Sequence, residues 1–136
     1  MPEKYACRCR ILDINISDKS FSVIEPGMDA ADRLIGGRGM AGYLMRPYAH
    51  LPWDSPLSPV IIMTGPLTGT GSPSSDRFCV MTRSPLTGTV FASMAGGDFG
   101  RELKRAGWDG LIISGTSRKS TGIRIENQRV TFPEPE

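Results

Sequence analysis

The chain has 136 residues, of which 39% are hydrophobic and 22% charged, and these values suit one globular domain with a single core. Sixteen basic residues against fourteen acidic ones give a net charge of +2, too small a surplus to indicate binding to nucleic acid. The apolar segments are too short to span a membrane, and the polar N-terminus lacks the hydrophobic block of a secretory signal. Three cysteines do not make a disulfide framework, so we expect a reduced, cytoplasmic location.

Sixteen glycines and eleven prolines predict many tight turns and little long helix. Near the N-terminus, residues 7–14 alternate as in a strand, residues 15–20 supply a turn, and residues 21–24 read as the returning strand of a hairpin. Between residues 29 and 49 the apolar side chains have helical spacing, but a Gly-Gly-Arg-Gly segment at 36–39 interrupts it. This stretch therefore predicts two short helices or one interrupted helix.

The rest of the chain reads as short strands with one further helix. Strands are predicted at residues 60–63, 78–81, 90–94, 110–114, 122–126 and 129–132. The helix is predicted at residues 99–106, with Gly107 in the position where a glycine commonly ends a helix. Short strands with two or three short helices between them indicate an α+β fold with short-stranded β-sheets, and we expect residues 1–136 to form one domain.

One pentapeptide, Pro-Leu-Thr-Gly-Thr, occurs at residues 66–70 and again at 85–89, each time after a short apolar strand. The repeat fits two similar turns at strand ends, and it equally fits a role in ligand binding. Its first copy lies in a stretch of small residues, 64–76, that Arg77 follows. Such a stretch is either an ordinary surface loop or a loop that brings N–H groups and hydroxyls to an oxyanion, with Arg77 adding charge.

A second glycine-rich segment, residues 37–42, satisfies the pattern Gly-x-Gly-x-x-Gly. A dinucleotide site needs a strand directly before this pattern, whereas the residues before it here read as helix. We therefore do not expect a dinucleotide site. Arg38, which is flanked by glycines, remains a candidate anion-binding group.

The segment at residues 96–100 leads from a strand into a helix, where free N–H groups can bind phosphate. Asp98 is itself a capping residue type, so we expect its side chain to take those N–H groups instead. The outer face of this helix carries three basic residues that we expect to be solvated, namely Arg101, Lys104 and Arg105.

Residues for acid–base or nucleophilic catalysis are scarce. His50 is the only histidine and reads as a loop residue. Cys7, Cys9 and Cys79 cannot supply the four thiolates of an ordinary iron–sulfur cluster, so we expect core or edge thiols. No catalytic residue is predicted.

Taken together, several segments resemble the start of the tungsten-containing aldehyde:ferredoxin oxidoreductases. The matching stretches lie, in order, at residues 37–41, 65–70, 77, 82–88, 96–104 and 106–110. Their order and spacing cover essentially the whole chain. The resemblance implies the first half of an N-terminal domain, a β-rich α+β base that lies under a bis-pterin tungsten cofactor.

The resemblance also implies the cofactor and its contacts. The cofactor would be a tungstopterin or molybdopterin, with a magnesium ion that bridges the phosphates of two pterins. By this likeness Arg77 contacts a pterin, while Met94, Ala95 and Gly96 supply backbone groups and the Met94 carbonyl binds magnesium. Many relatives carry Asn at the position of Met94. A contact through the carbonyl tolerates this difference, whereas a side-chain role would be lost.

The family's reaction is the oxidation of an aldehyde to a carboxylic acid, with electrons passing through a [4Fe–4S] cluster to ferredoxin. The second half of the base domain, the cluster cysteines and the helical domains have no counterpart in this sequence. The resemblance therefore implies a pterin-binding module that forms a homodimer or joins a chain supplying the missing half. Ferredoxin would interact only with such a complex, and the chain alone would be inactive. The alternative is a non-catalytic scaffold that binds a partner chain or a nucleotide-like ligand.

Overall fold

A six-stranded mixed sheet organises the chain, of which the computed structural model describes residues 9–134. Its strands in chain order are β1 (Ile11–Asn15), β2 (Ser20–Ile24), β3 (Val60–Thr64), β4 (Phe78–Arg83), β5 (Val90–Ala95) and β6 (Gly110–Ser114). Across the sheet the order is β2-β1-β6-β3-β4-β5. β1 and β6 are parallel, and the other neighbouring strands are antiparallel. A separate hairpin pairs β7 (Arg124–Glu126) with β8 (Arg129–Thr131).

Three short helices accompany the sheet: α1 (Met28–Leu34), α2 (Gly37–Met45) and α3 (Phe99–Arg105). A 3₁₀ turn at Arg46–Tyr48 follows α2. Of the two predicted alternatives, two short helices are confirmed, because Ile35 and Gly36 between them have φ angles of 61° and 101°. These elements confirm the α+β fold with short strands. None of the helices described within residues 9–134 has the length and hydropathy that crossing a bilayer requires.

Alternation along the strands divides the core between the two faces of the sheet. One face packs against α1 and α2 through Cys9, Ile11, Met40, Ala41, Leu44, Met45, Ile61, Met63, Cys79, Met81 and Ile112. The opposite face packs against α3 and the β7–β8 hairpin through Leu12, Ile14, Leu103, Trp108, Leu111 and Val130. The sheet therefore forms the middle layer of the fold.

One end of the sheet gathers several chain segments, and we call it the Thr64 end. Here β3 finishes at Thr64, which pairs with Phe78 at the start of β4. Phe78 in turn pairs with Ala95, the last residue of β5. Helix α2 also begins here, because a Cβ atom on Gly36 would lie 3.0 Å from the carbonyl oxygen of Thr64. Four segments that are distant in sequence therefore meet at the Thr64 end of the sheet.

The predicted elements are confirmed with small shifts at their ends, apart from the start of the first strand. Cys9 lies before β1 and has a φ of 50°, so Cys9 and Arg10 of the predicted strand are not part of β1, which begins at Ile11. Cys9 and Cys79 are buried, as expected of core cysteines. Cys7 lies outside the described residues. The helix-ending role of Gly107 is confirmed by its φ of 93° and by its N–H, which donates to the Lys104 carbonyl oxygen.

Two predictions about α3 are wrong. Asp98 occupies the N-cap position, but its backbone is already helical, with φ −79° and ψ −17°, and its side chain makes no capping hydrogen bond. A capping side chain needs an extended backbone to reach the helix N–H groups. The Asp98 carboxylate instead accepts a hydrogen bond from Arg101 across 2.5 Å. Lys104 is not solvated either, because it pairs with the buried carboxylate of Asp109.

Candidate functional site

The loop between β3 and β4, residues 65–77, is held together by the side chain of Thr68. This residue is only 2% exposed, and its hydroxyl oxygen accepts a hydrogen bond from the Gly65 N–H across 3.2 Å. The same hydroxyl lies 3.0 Å from the Ser75 carbonyl oxygen and 3.4 Å from that of Arg77. Thr68 thus fixes both ends of the loop, including the main chain of Arg77.

Several N–H groups of this loop are already used within it. The Gly69 N–H donates to the Asp76 carboxylate across 3.0 Å, and the Thr70 N–H donates to the Leu67 carbonyl oxygen across 3.2 Å. The loop is therefore a folded support and does not form an open cradle of free N–H groups. The interpretation that its backbone surrounds an oxyanion is disfavoured, and the exposed charge of Arg77 remains available.

Arg77 lies directly before β4 and is exposed. Within residues 9–134 it has neither a hydrogen bond from its side chain nor a carboxylate partner. Continuing the β4–β5 register by one residue sets Arg77 beside Gly96, because Phe78 pairs with Ala95. The structure therefore brings Arg77 next to the predicted segment 94–96.

Residues 94–96 lie at the end of β5, which is an edge strand of the sheet. In an edge strand, alternate residues direct their N–H and C=O groups away from the neighbouring strand. Of the consecutive residues Met94 and Ala95, one therefore presents a main-chain carbonyl oxygen at the open edge. The Met94 side chain is 47% exposed and lies on the face of the sheet that α2 covers, opposite Cys79.

The part of the chain that the structure describes has no group of three or more His, Cys, Asp or Glu residues suited to hold a metal ion. Magnesium prefers oxygen ligands and commonly takes them from phosphates and water in addition to protein. A magnesium ion at this edge would therefore depend on main-chain carbonyl oxygens and on the ligand's own phosphates.

Arg38 lies in the first turn of α2, the helix that packs on the same face of the sheet as Met94 and Cys79. Burial raises the pKa of the Cys79 thiol, and the positive charge of Arg38 partly offsets this by lowering it. The charge of Arg38 thus acts on Cys79, and Cys79 pairs with Met94 on β5. The sequence marked Arg38 as a candidate anion-binding group but did not connect it with Arg77.

Asp109 supports this end of the sheet through buried contacts, and no role was predicted for it from the sequence. It is only 4% exposed, and its carboxylate accepts a hydrogen bond from the Arg10 N–H across 3.0 Å and pairs with Lys104. Its N–H donates to the Arg10 carbonyl oxygen across 2.8 Å. In the sequence, Asp109 is part of the matching stretch 106–110 and precedes an apolar strand, and neither signal predicts its buried contacts.

The remaining motifs lie elsewhere or lack the required context. The Gly-x-Gly-x-x-Gly segment follows helix α1 and not a strand, as expected, so it has no dinucleotide-binding context. The second Pro-Leu-Thr-Gly-Thr copy joins β4 to β5 at the opposite end of the sheet, where Thr87 is exposed. His50 is an exposed turn residue beside Ala49, whose carbonyl oxygen accepts a hydrogen bond from Arg83 at that same far end.

Comparison with known proteins gives a consistent result. A family model described as "Aldehyde ferredoxin oxidoreductase, N-terminal domain" matches residues 11–136. The chain is 41% identical over 124 residues to the "Tungsten-containing aldehyde ferredoxin oxidoreductase" of Thermococcus kodakarensis, a match that covers 89% of this chain and 20% of that protein. It is 39% identical, with the same coverage, to the protein of that name from Pyrococcus furiosus.

The chain is also similar to a solved structure. The active site complex BamBC of benzoyl coenzyme A reductase, in complex with 1,5-dienoyl-CoA, has a TM-score of 0.87 and 27% sequence identity. That match covers 96% of this chain and 20% of the other chain. The chain thus spans about a fifth of the length of the relatives it matches. It belongs to the aldehyde ferredoxin oxidoreductase family and corresponds to that family's N-terminal domain.

Proposed function

We propose that this chain is a single domain, residues 1–136, that binds the pterin part of a tungstopterin or molybdopterin cofactor at the Thr64 end of its sheet. The observation that carries the proposal is the exposed Arg77, which has no carboxylate partner among residues 9–134 and lies beside the open edge of β5. Family membership supports it, because the relatives named above are tungsten-containing.

The residues at this edge offer complementary groups to such a ligand. The Arg77 guanidinium donates hydrogen bonds to the oxygen or nitrogen acceptors of a pterin, and Thr68 holds its main chain in place. A main-chain carbonyl of Met94 or Ala95 accepts from the pterin amino groups or binds a magnesium ion. Gly96 and Gly97 follow, and a Cβ on either would meet no atom within 4 Å, so the ligand has open space above them.

The reaction that we infer for the complete assembly is the family's oxidation of an aldehyde to a carboxylic acid. When bound, the tungsten or molybdenum centre would accept the two electrons, and a [4Fe–4S] cluster would pass them to ferredoxin. The sequence has only three cysteines, so other polypeptide must supply the cluster ligands. The contribution of this chain is to bind and orient the cofactor, and we expect no aldehyde oxidation by the chain alone.

The proposed partner is a second copy of this chain or a chain that supplies the missing half of the base domain. Its docking surface would be the β5 side of the sheet, where Phe91 is 55% exposed. Phe78 and Phe99 lie on the same side, with ring centroids 4.9 Å apart. Exposed apolar side chains of this size on an edge strand commonly mark a partner surface.

The proposal is tested by purifying the chain from its native host under anaerobic conditions and assaying it for tungsten, molybdenum and pterin. We expect pterin that co-purifies with the chain or with its complex, detected by the fluorescence of its oxidised form. Protein that carries neither metal nor pterin, alone or in a complex, would favour the alternative of a non-catalytic scaffold.

A further inference from the structure

A cleft of about 350 Å³ opens between the β2 side of the sheet and the end of α2, and we call it the β2 cleft. Ile24 of β2 and Ile112 of β6 line it from the sheet. Residues at the end of α2 and in the following 3₁₀ turn line it from the other side, namely Tyr43, Leu44, Arg46, Pro47 and Tyr48. A concave site of this size with a mainly apolar lining is typical of small-molecule binding.

Asp13 brings a carboxyl group to the sheet side of the β2 cleft. It lies on β1, the strand between β2 and β6, and it pairs with Ile112 and with Ser22. Alternation along β1 places Asp13 on the same face as Ile11, which belongs to the core that α2 covers. Ile11 is completely buried, whereas Asp13 is only partly buried. Asp13, and not Ile11, can therefore contact a molecule bound in the cleft.

No group in the described part of the chain compensates the charge of this carboxyl. Within residues 9–134, Asp13 has neither a hydrogen bond from its side chain nor a basic partner. Burial raises the pKa of the Asp13 carboxyl, and the charge of Arg46 does not offset that effect. An ionised carboxylate in such a position lowers the stability of the fold, and perturbed groups of this kind are concentrated at functional sites. Asp13 thus has the property expected of a residue whose partner is a ligand.

The opposite side of the cleft offers two aromatic rings. Tyr43 is 47% exposed and Tyr48 is half-buried, and neither hydroxyl has a hydrogen-bond partner in the chain from residue 9 to residue 134. The face of an aromatic ring attracts cations, and the neighbouring Leu44 suits an apolar body. Arg46 is the basic residue of the lining, but it is exposed, so water and salt screen its charge more than that of Asp13. The lining therefore favours a molecule that is both apolar and cationic.

We propose that the β2 cleft binds an organic cation, an ammonium group on an aromatic or branched apolar body. The ammonium group donates a charge-assisted hydrogen bond to the Asp13 carboxylate, and the apolar body packs against Tyr43 and Tyr48. Binding neutralises the carboxylate that the free chain leaves without a partner. The inference does not depend on pterin binding, because β2 and β5 are opposite edges of the sheet.

The test compares three indole probes that differ in the charge of the side chain: tryptamine is a cation, tryptophol is neutral and indole-3-propionate is an anion. Dissociation constants are measured by NMR titration at neutral pH for the wild-type chain, for Asp13→Asn and for the control Asp32→Asn. Asp32 is an exposed acidic residue of α1 outside the cleft lining. We expect the wild-type chain to bind tryptamine about tenfold or more tightly than tryptophol.

Asp13→Asn should abolish this preference by weakening the binding of tryptamine alone, whereas Asp32→Asn should bind all three probes as the wild-type chain does. The substitution keeps the size of the side chain and removes a destabilising charge, so lost tryptamine binding would not reflect unfolding. A urea titration of each variant checks this point.

Three results would overturn the inference. A preference for tryptamine that persists in Asp13→Asn would mean that the carboxylate does not hold the cation. Tightest binding of indole-3-propionate would mean that Arg46 makes the cleft an anion site. A wild-type chain that binds none of the probes would mean that the cleft does not take this class of ligand. Pterin binding at the Thr64 end would stand in each case.

Discussion

The hydroxyl of Thr64 donates a hydrogen bond to the main-chain carbonyl oxygen of Asp109 across 2.7 Å, although 45 residues separate them in sequence. The Thr64 N–H donates to the same oxygen across 3.0 Å. The end of β3 is therefore bound to the residue directly before β6. Since Asp109 also contacts Arg10 and Lys104, one buried residue joins β1, β3, β6 and α3 beneath the candidate site.

This arrangement predicts a large effect of Asp109→Asn. The substitution keeps the size of the side chain but removes the buried charge that Lys104 contacts. Breaking a buried ion pair from one side costs about 3 kcal/mol or more. We therefore expect the free energy of unfolding, measured by urea titration, to fall by about that amount. Glu126→Gln, in the exposed pair with Arg124, is the control and should cost less than about 1 kcal/mol. Equal effects of the two variants would contradict the role of Asp109.

The two copies of Pro-Leu-Thr-Gly-Thr provide a matched pair of substitutions. Thr68→Val removes a buried hydroxyl that contacts three main-chain groups, whereas Thr87→Val removes an exposed one. An unsatisfied buried N–H costs about 1–3 kcal/mol. We expect Thr68→Val to lower stability by that amount and to accelerate amide hydrogen exchange in residues 65–77.

Thr87→Val should change stability by less than about 0.5 kcal/mol, because surface substitutions rarely have larger effects. If the two threonines responded alike, the repeat would be no more than two similar turns and Thr68 would have no special role in supporting Arg77.

Stability should also depend on pH through Asp13. Burial raises the pKa of this carboxyl above its ordinary value of 3.8, and within residues 9–134 it has no partner. The pKa of Asp13 is therefore higher in the folded state than in the unfolded state. The stability that the protonated carboxyl contributes is fully present below pH 3.8 and is lost as the pH rises through the folded-state pKa. At neutral pH, Asp13→Asn should therefore raise the urea midpoint.

The difference between Asp13→Asn and wild type should vanish at a pH well below the ordinary value of 3.8, where the native carboxyl is protonated. Asp32→Asn, on an exposed position of α1, controls for the loss of one negative charge. A lower midpoint for Asp13→Asn at neutral pH would show that the ionised carboxylate is favourable in the folded state.

Much of the fold could be predicted from the sequence because the signals were local. The β1–β2 hairpin and the helix break at Gly36 each depend on turn residues within a few positions. The strand order could not be predicted, since the pairing of β6 between β1 and β3 depends on contacts between distant segments. Asp98 shows that residue type alone does not predict helix capping. Its backbone is helical and its carboxylate binds Arg101, so it makes no capping hydrogen bond.

The candidate site was predicted in part. Arg77 and the segment 94–96 came from family resemblance, and the β4–β5 register brings them together. The support by Thr68 and Asp109 was not predictable, because both act through side-chain contacts with residues whose proximity only the folded chain reveals. The link between Arg38 and Cys79 was missed for the same reason.

The exposed apolar side of β5 predicts self-association. At micromolar concentration, light scattering of the purified chain should give the mass of a homodimer, unless a partner chain is present and forms a heteromer. Phe91→Ser should shift the chain toward monomer, whereas Leu86→Ser, at the far turn and 93% exposed, should not. A wild-type monomer that unfolds cooperatively would mean that the chain closes its own core and would contradict the partner proposal.

Pterin retention by Arg77→Ala is the decisive test of pterin binding at the Thr64 end. Arg129→Ala is the control, since Arg129 is an exposed arginine on the separate β7–β8 hairpin. Arg101 would be an unsuitable control, because it contacts Asp76 in the loop of residues 65–77 that positions Arg77. A charged hydrogen bond contributes about 1.5–3 kcal/mol, so Arg77→Ala should weaken pterin binding roughly ten- to hundredfold while Arg129→Ala binds as wild type does. Equal retention by the two folded variants would contradict the assignment of Arg77 to the pterin site.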